Sequence, residues 1–172
     1  MAVLISIIIG VSTGFLASYG FLILFLKRKK PKISISSHII KTEIDGKANY
    51  LFKFVNNTKS EIYDINIEAV FYKPFGDISG KNLQSKDINL VDDFKAYMPC
   101  EEKGDVYNLH AMRLRTTDNL EEMWKDNSSY ISLTVIAKHS LSGLNKVFIK
   151  EYLSKDFITS KKFQSGNNLE VK

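Results

Sequence analysis

Hydrophobic and polar positions along the chain follow two different rhythms. Between Ala2 and Leu26 there is no charged side chain. At ~1.5 Å rise per residue, a helix over this stretch exceeds the ~30 Å hydrocarbon core of a bilayer and spans it with some tilt. Beyond Ile33 the pattern changes to period two, which marks strands with one buried face. Tyr50, Phe52 and Phe54 point one way and Lys53 the other. Ile65, Ile67, Ala69 and Phe71 alternate with Asn66, Glu68 and Tyr72, and Ile131, Leu133, Val135 and Ala137 alternate with Ser132, Thr134 and Lys138. Turn residues separate these runs at Asp45-Gly46, Asn56-Asn57 and Pro74-Phe75-Gly76-Asp77, so mostly antiparallel strands of a sandwich or barrel are expected. One short helix is expected where Asp118 precedes Glu121 at capping-box spacing, ahead of Met123 and Trp124. The polar stretch 164–172 reads as a mobile tail. The expected organisation is therefore a transmembrane helix over 1–26, a basic collar over 27–32, a β domain over 33–163 and the tail.

Charge sharpens this division. The chain carries 24 Lys and Arg against 19 Asp and Glu; Lys27, Arg28, Lys29, Lys30 and Lys32 fall in the first 32 residues, which hold no acid, leaving 19 of each sign beyond them. The whole +5 excess sits where a helix would leave the membrane, so the basic balance speaks for anionic lipid head groups and gives no support for a nucleic-acid partner. A secretory signal would need bases ahead of the apolar run, and none is there. Bases only on the C-terminal flank put the N-terminal side outside and the β domain in the cytoplasm of a cell-membrane protein. Cys100, the single cysteine, excludes an internal disulfide and agrees with a reducing compartment. Asn56-Asn57-Thr58 and Asn127-Ser128-Ser129 match the glycosylation pattern and read as polar turns.

Inside the helix, Ser6, Gly10, Gly14 and Ser18 recur every four residues and stack on one face, where another backbone can approach closely. Self-association through this stripe is expected. Chemistry is sparse elsewhere. His38, His110 and His139 are far apart and lack a second ligand at metal-site spacing, and Cys100 has no nucleophile signature around it. The acid pairs Asp92-Asp93, Glu101-Glu102 and Glu121-Glu122 read as surface charge, and no glycine-rich phosphate loop follows a strand. No catalytic residue, metal or cofactor is expected.

The order of features carries a resemblance. An apolar helix leads through Lys27-Arg28-Lys29-Lys30-Pro31-Lys32 to Ile35-Ser36-Ser37-His38-Ile39-Ile40, then Asp45-Gly46-Lys47, Leu51-Phe52-Lys53-Phe54-Val55-Asn56 and Ile62-Tyr63-Asp64-Ile65. This resembles the inner helix and cytoplasmic domain of inward-rectifier potassium channels. The likeness continues more weakly through 83–90, Tyr107-Asn108-Leu109-His110 and the long hairpin over 130–163, with Gly143 in the loop that lines the family's cytoplasmic pore. Thr159-Ser160 stand where the family has Trp-Gly, and Met112-Arg113-Leu114-Arg115 where it has an Ile-Asp…Ser-Pro turn. The resemblance implies an all-β, immunoglobulin-like antiparallel β-sandwich preceded by one transmembrane helix, lipid contact at the collar, and a homo-oligomer with four copies as the first expectation. No outer helix, pore helix or Thr-Val-Gly-Tyr-Gly filter is present in the sequence, and Ser18-Tyr19-Gly20 is no substitute for the ring of carbonyls a filter needs. Three readings follow: a non-enzymatic anchored regulatory, sensory or assembly module; a pore subunit, either of a channel whose filter a partner supplies or of a simpler pore made by the oligomerised helix; and an enzyme, against which the missing site speaks.

Overall fold

A computed structural model describes residues 1–28, 30–76 and 82–172. Lys29 of the collar and Asp77 of the expected turn lie outside the described residues. Helix α1 (Ala2–Arg28) is followed by β1 (Ile33–Ile35), β2 (Ile39–Ile44), β3 (Lys47–Asn56), β4 (Ile62–Phe75), β5 (Asn82–Ile88), β6 (Phe94–Met98), β7 (Ala111–Thr116), α2 (Leu120–Met123), β8 (Tyr130–His139), β9 (Asn145–Tyr152) and β10 (Ile158–Thr159).

The strands form two sheets packed as a sandwich. In the first, β3 is central: β2 and then β1 run antiparallel along one edge, β7 along the other, and β10 adds to β2 in parallel. In the second, β4 is central, with β5 and β6 sharing one edge and β8 on the other, and β9 lies beyond β8. The period-two reading of the core is met: Tyr50, Phe52, Phe54, Ile65, Ile67, Ala69, Phe71, Ile131, Leu133, Val135 and Ala137 are all buried between the sheets. Ile62 and Ile65 are both buried although three residues apart, which strict alternation forbids. A register shift between Tyr63 and Asn66, with Asp64 at φ +47°, inserts a β-bulge that returns both to the core side. The Asp45-Gly46 turn closes the β2–β3 hairpin with both residues at positive φ (52° and 72°), as a type I′ turn requires.

Two expectations are corrected. The short helix is capped by Asn119, whose side chain accepts from the Glu122 amide (3.2 Å), while the Asp118 carboxylate is taken up by the Asn89 amide (2.8 Å) and Glu121 pairs with Lys41 (2.6 Å). The capping-box spacing is displaced by one residue, because burial of Leu120 and Trp124 fixes where the turn starts. The second correction concerns 164–172, which is folded onto the first sheet instead of trailing free. Lys162 and Lys172 exchange backbone hydrogen bonds (2.7 and 2.9 Å), Phe163 bridges to Val171, and the Ser36 hydroxyl donates to the Leu169 carbonyl (2.9 Å).

The cause is Lys53. Alternation puts it on the outer face of β3, as expected, yet it is only 1% exposed. Its ammonium donates to the carbonyls of Gln164 (2.7 Å), Gly166 (2.8 Å) and Asn168 (2.7 Å). Three N–H donors meet three acceptors, so a charge that would be costly to bury alone is satisfied without a carboxylate. Burial pulls the Lys53 ammonium below its ordinary value, and the neighbouring Arg113 adds repulsion in the same direction.

Lys53→Met should therefore leave three carbonyls without their donor and release the 164–170 segment. The expected cost is about 1–3 kcal/mol in chemical denaturation, with faster amide exchange confined to that segment. Unchanged exchange there would show that the tail is held without Lys53.

Candidate functional site

The end of the sandwich nearest α1 gathers the collar and three loops. Ile33 pairs with Asn56, Val55 with Ala111, Ile62 with both Met98 and His139, and Lys138 with Asn145. The loops over 57–61, 99–110 and 140–144 therefore all lie where β1 begins, and the Asp45-Gly46 turn lies at the opposite end.

α1 is long and apolar enough to cross a membrane, and none of its residues is buried. Ser6, Gly10, Gly14 and Ser18 share one face of it at four-residue spacing and are all exposed. The Ser6 hydroxyl donates back to the Ala2 carbonyl (3.0 Å), and a Cβ added at Gly10 or Gly14 would meet nothing within 4 Å. The stripe is thus uncovered within a single chain. Lys27 and Arg28 occupy the last turn, where cations favour the carbonyl end of the helix dipole. Lys27, Arg28, Lys30 and Lys32 are exposed, whereas Pro31 is buried. The collar ends on a fixed point: the Lys32 amide donates to the Thr58 hydroxyl (2.8 Å), and the Asn57 amide donates to the Lys32 carbonyl (2.8 Å).

Polar side chains that looked unremarkable in sequence hold these loops. Asn56 is fully buried, donates to the Pro99 carbonyl (2.9 Å) and accepts from the Thr58 amide (2.9 Å), so its glycosylation pattern is spent on a structural turn. His139 is 1% exposed; its Nδ1 accepts from the amides of Leu141 (3.2 Å) and Ser142 (3.3 Å), which leaves Nε2 as the donor to the Ser60 hydroxyl (2.7 Å). His110, also buried, binds Asn167 Oδ1 (2.5 Å) and lies 3.7 Å from the Asp105 carboxylate, joining the 99–110 loop to the folded tail. Asp105 in turn accepts from the amides of Tyr107 (2.9 Å) and Leu109 (2.7 Å). Burial pushes the Asp105 carboxyl up, but the amides of Leu109, Tyr107 and Asn108 and the His110 ring outweigh it and hold it below the usual carboxylate range.

An open cleft of about 460 Å³ lies between this loop and the tail, lined by Lys53, Tyr107, Asn108, Arg113, Ser165 and Gly166. Among the described residues, no three His, Cys, Asp or Glu side chains come together as a metal site. Cys100 is half-buried and unpaired with another cysteine. No family model and no curated protein matches this chain.

The Asp105 turn has a defined pH dependence. Its folded value is depressed below 3.8, so its contribution is complete above that value and is lost as pH falls through the folded one. The Tyr107 and Leu109 amides should exchange faster on acidification through that window, and Asp105→Asn should remove the dependence while leaving the midpoint of global unfolding at neutral pH close to that of the unsubstituted chain. Amide exchange measured at stepped pH checks this.

Proposed function

We propose that this chain is a non-enzymatic, single-pass protein of the cell membrane, with the N-terminal side of α1 outside and an immunoglobulin-like sandwich in the cytoplasm acting as a regulatory, sensory or assembly module. One observation carries the reading: an apolar helix with no buried residue runs directly into exposed bases and, after four intervening residues, into a docked β-strand. Bases on that flank alone favour cytoplasmic placement of the sandwich. The immunoglobulin-like assignment is supported by strand order, since β2-β3-β7 facing β5-β4-β8-β9 corresponds to an A-B-E sheet facing a C′-C-F-G sheet. Lys27, Arg28, Lys30 and Lys32, with Lys29 between them, supply a surface for anionic head groups at ~1 kcal/mol per base. The uncovered Ser6, Gly10, Gly14 and Ser18 face supplies a site for self-association, with four copies as the first expectation from the inward-rectifier resemblance.

A second reading draws on Gly143. It sits at φ +65° in the β8–β9 turn, at the α1 end of the sandwich, where the resemblance places a pore-lining loop. This favours a channel subunit whose filter a partner supplies.

Topology is tested by labelling a Lys47→Cys, Cys100→Ser variant of the full chain with a membrane-impermeant thiol reagent. Labelling is expected only after permeabilisation, and ready labelling of intact cells would overturn the orientation. Changing all five collar bases to Gln should produce a mixed orientation and lower the anionic lipid that co-purifies in native nanodiscs. Assembly has its own measurement: Gly10→Ile with Gly14→Ile holds helix backbones apart and should weaken crosslinking of the full chain in membranes. A wild-type chain that stays monomeric under crosslinking would remove self-association from the reading.

A further inference from the structure

We infer that the end of the sandwich nearest α1 is a second membrane contact, in which Val106, Tyr107, Leu109 and Leu141 enter the head-group boundary of the bilayer that α1 crosses. The inference rests on the anchored reading of α1 and adds a surface to it.

Four large apolar side chains are held in water here, at 82%, 85%, 63% and 69% exposure. Single exposed apolar residues are ordinary, but these four sit on two loops at one end of the domain. They are also held in place. Asp105 fixes the Tyr107 and Leu109 amides, Asn108 adopts φ +53°, and buried His139 fixes the Leu141 amide. Loops organised by buried polar groups cannot fold their apolar tips inward, so the exposure is built into the local structure.

The tether decides what covers them. Residues 29–32 join Arg28 to Ile33, and at ~3.6 Å per residue these Cα atoms are at most about 18 Å apart. α1 is about 40 Å long against a ~30 Å hydrocarbon core, and the polar layer on each side adds only several ångströms more. With the Lys32 backbone clamped to the 57–58 turn, the tether keeps this end of the sandwich within about 18 Å of the end of α1, near enough for the 99–110 and 140–144 loops to reach that polar layer. Exposed Phe75 and Leu83 lie at the opposite end of the second sheet, and exposed Ile149 lies along β9 opposite Thr134.

Charge separates this contact from the collar. The loops over 57–61, 99–110 and 140–144 carry two bases, Lys59 and Lys103, against four acids, Glu61, Glu101, Glu102 and Asp105. Their attraction to a bilayer is therefore apolar, and it should persist on zwitterionic lipid and at high salt, unlike that of the collar.

The test uses the full Cys100→Ser chain in phosphatidylcholine proteoliposomes, with an environment-sensitive fluorophore at Tyr107→Cys or Leu141→Cys and, as quenchers, lipid spin-labelled near the head group for the loop probes and lipid spin-labelled in mid-chain for the probe in α1. Lys47→Cys, at the far end of the sandwich, is the aqueous reference, and Ala17→Cys in α1 is the bilayer reference. Probes at 107 and 141 should be quenched at least about twofold more than the probe at 47, with no loss at about 0.5 M salt. If the probe at 17 is quenched and those at 107 and 141 match the probe at 47, the docking surface is overturned and the anchor stands. If the probe at 17 is not quenched, the anchored reading itself fails and takes this inference with it. Probes at 107 and 141 that are shielded from lipid but crosslink between chains would assign the surface to a second copy and overturn the proposal.

Discussion

A helix that buries none of its apolar side chains against its own domain constrains everything else in this chain. α1 runs over Ala2–Arg28 with no buried residue. Burial of a Leu, Ile or Phe side chain is worth about 1.5–3 kcal/mol, so a helix of this composition is stable only where lipid or other helices cover it. In a bilayer the bases at its C-terminal end would set its depth, since Lys and Arg stems can lie along apolar surface while their charges stay wet. The constraint passes into the sandwich because the collar ends in a buried Pro31 and a doubly hydrogen-bonded Lys32 backbone. A long flexible linker would have uncoupled the domain from α1. This one leaves it little freedom.

Lys53 imposes the corresponding constraint within the domain. A strand whose inner face packs Tyr50, Phe52 and Phe54 must turn Lys53 to the other face, opposite exposed Arg113 on β7. Open to water, that pair would leave the outer face of the first sheet polar and bare. Folding 164–172 across it converts the face into an interior, with carbonyl dipoles taking the place of a counter-ion. Carbonyls lack the charge of a carboxylate but accept from fixed directions, so they specify the path of the tail. The same path brings Asn167 to His110 and so ties the tail to the 99–110 loop.

Much of the sandwich was legible in the sequence. Period-two alternation marks the inward residues of β3, β4 and β8, and Asp45-Gly46 announces its hairpin through conformational need. What was hidden depends on contacts distant in sequence. The bulge at Asp64 changes the facing of Ile62 through pairing with β8, and nothing local to Tyr63 or Asp64 announces it. The tail looked mobile because its own residues bury little; its order comes from a lysine more than a hundred positions earlier. The helix stripe and the collar were visible as composition, but Val106, Tyr107, Leu109 and Leu141 have no common period. Only strand pairing shows that their loops share one end, and only the tether shows that this end faces α1.

On the proposed reading, the two membrane contacts would differ in the force they use, and that difference would have a mechanical consequence. The collar would act through Coulomb attraction, which grows with the anionic lipid fraction and is screened within about 8–10 Å at physiological salt. The loops are apolar at their tips and carry more acid than base, so a strongly anionic surface pulls on the collar while it repels Glu101 and Glu102. Both forces act on one rigid body through a short tether. On that reading, a change in lipid charge would shift the balance between them and tilt the sandwich, with Lys32 clamped to it, relative to the end of α1, whereas a uniformly basic domain would only be drawn closer.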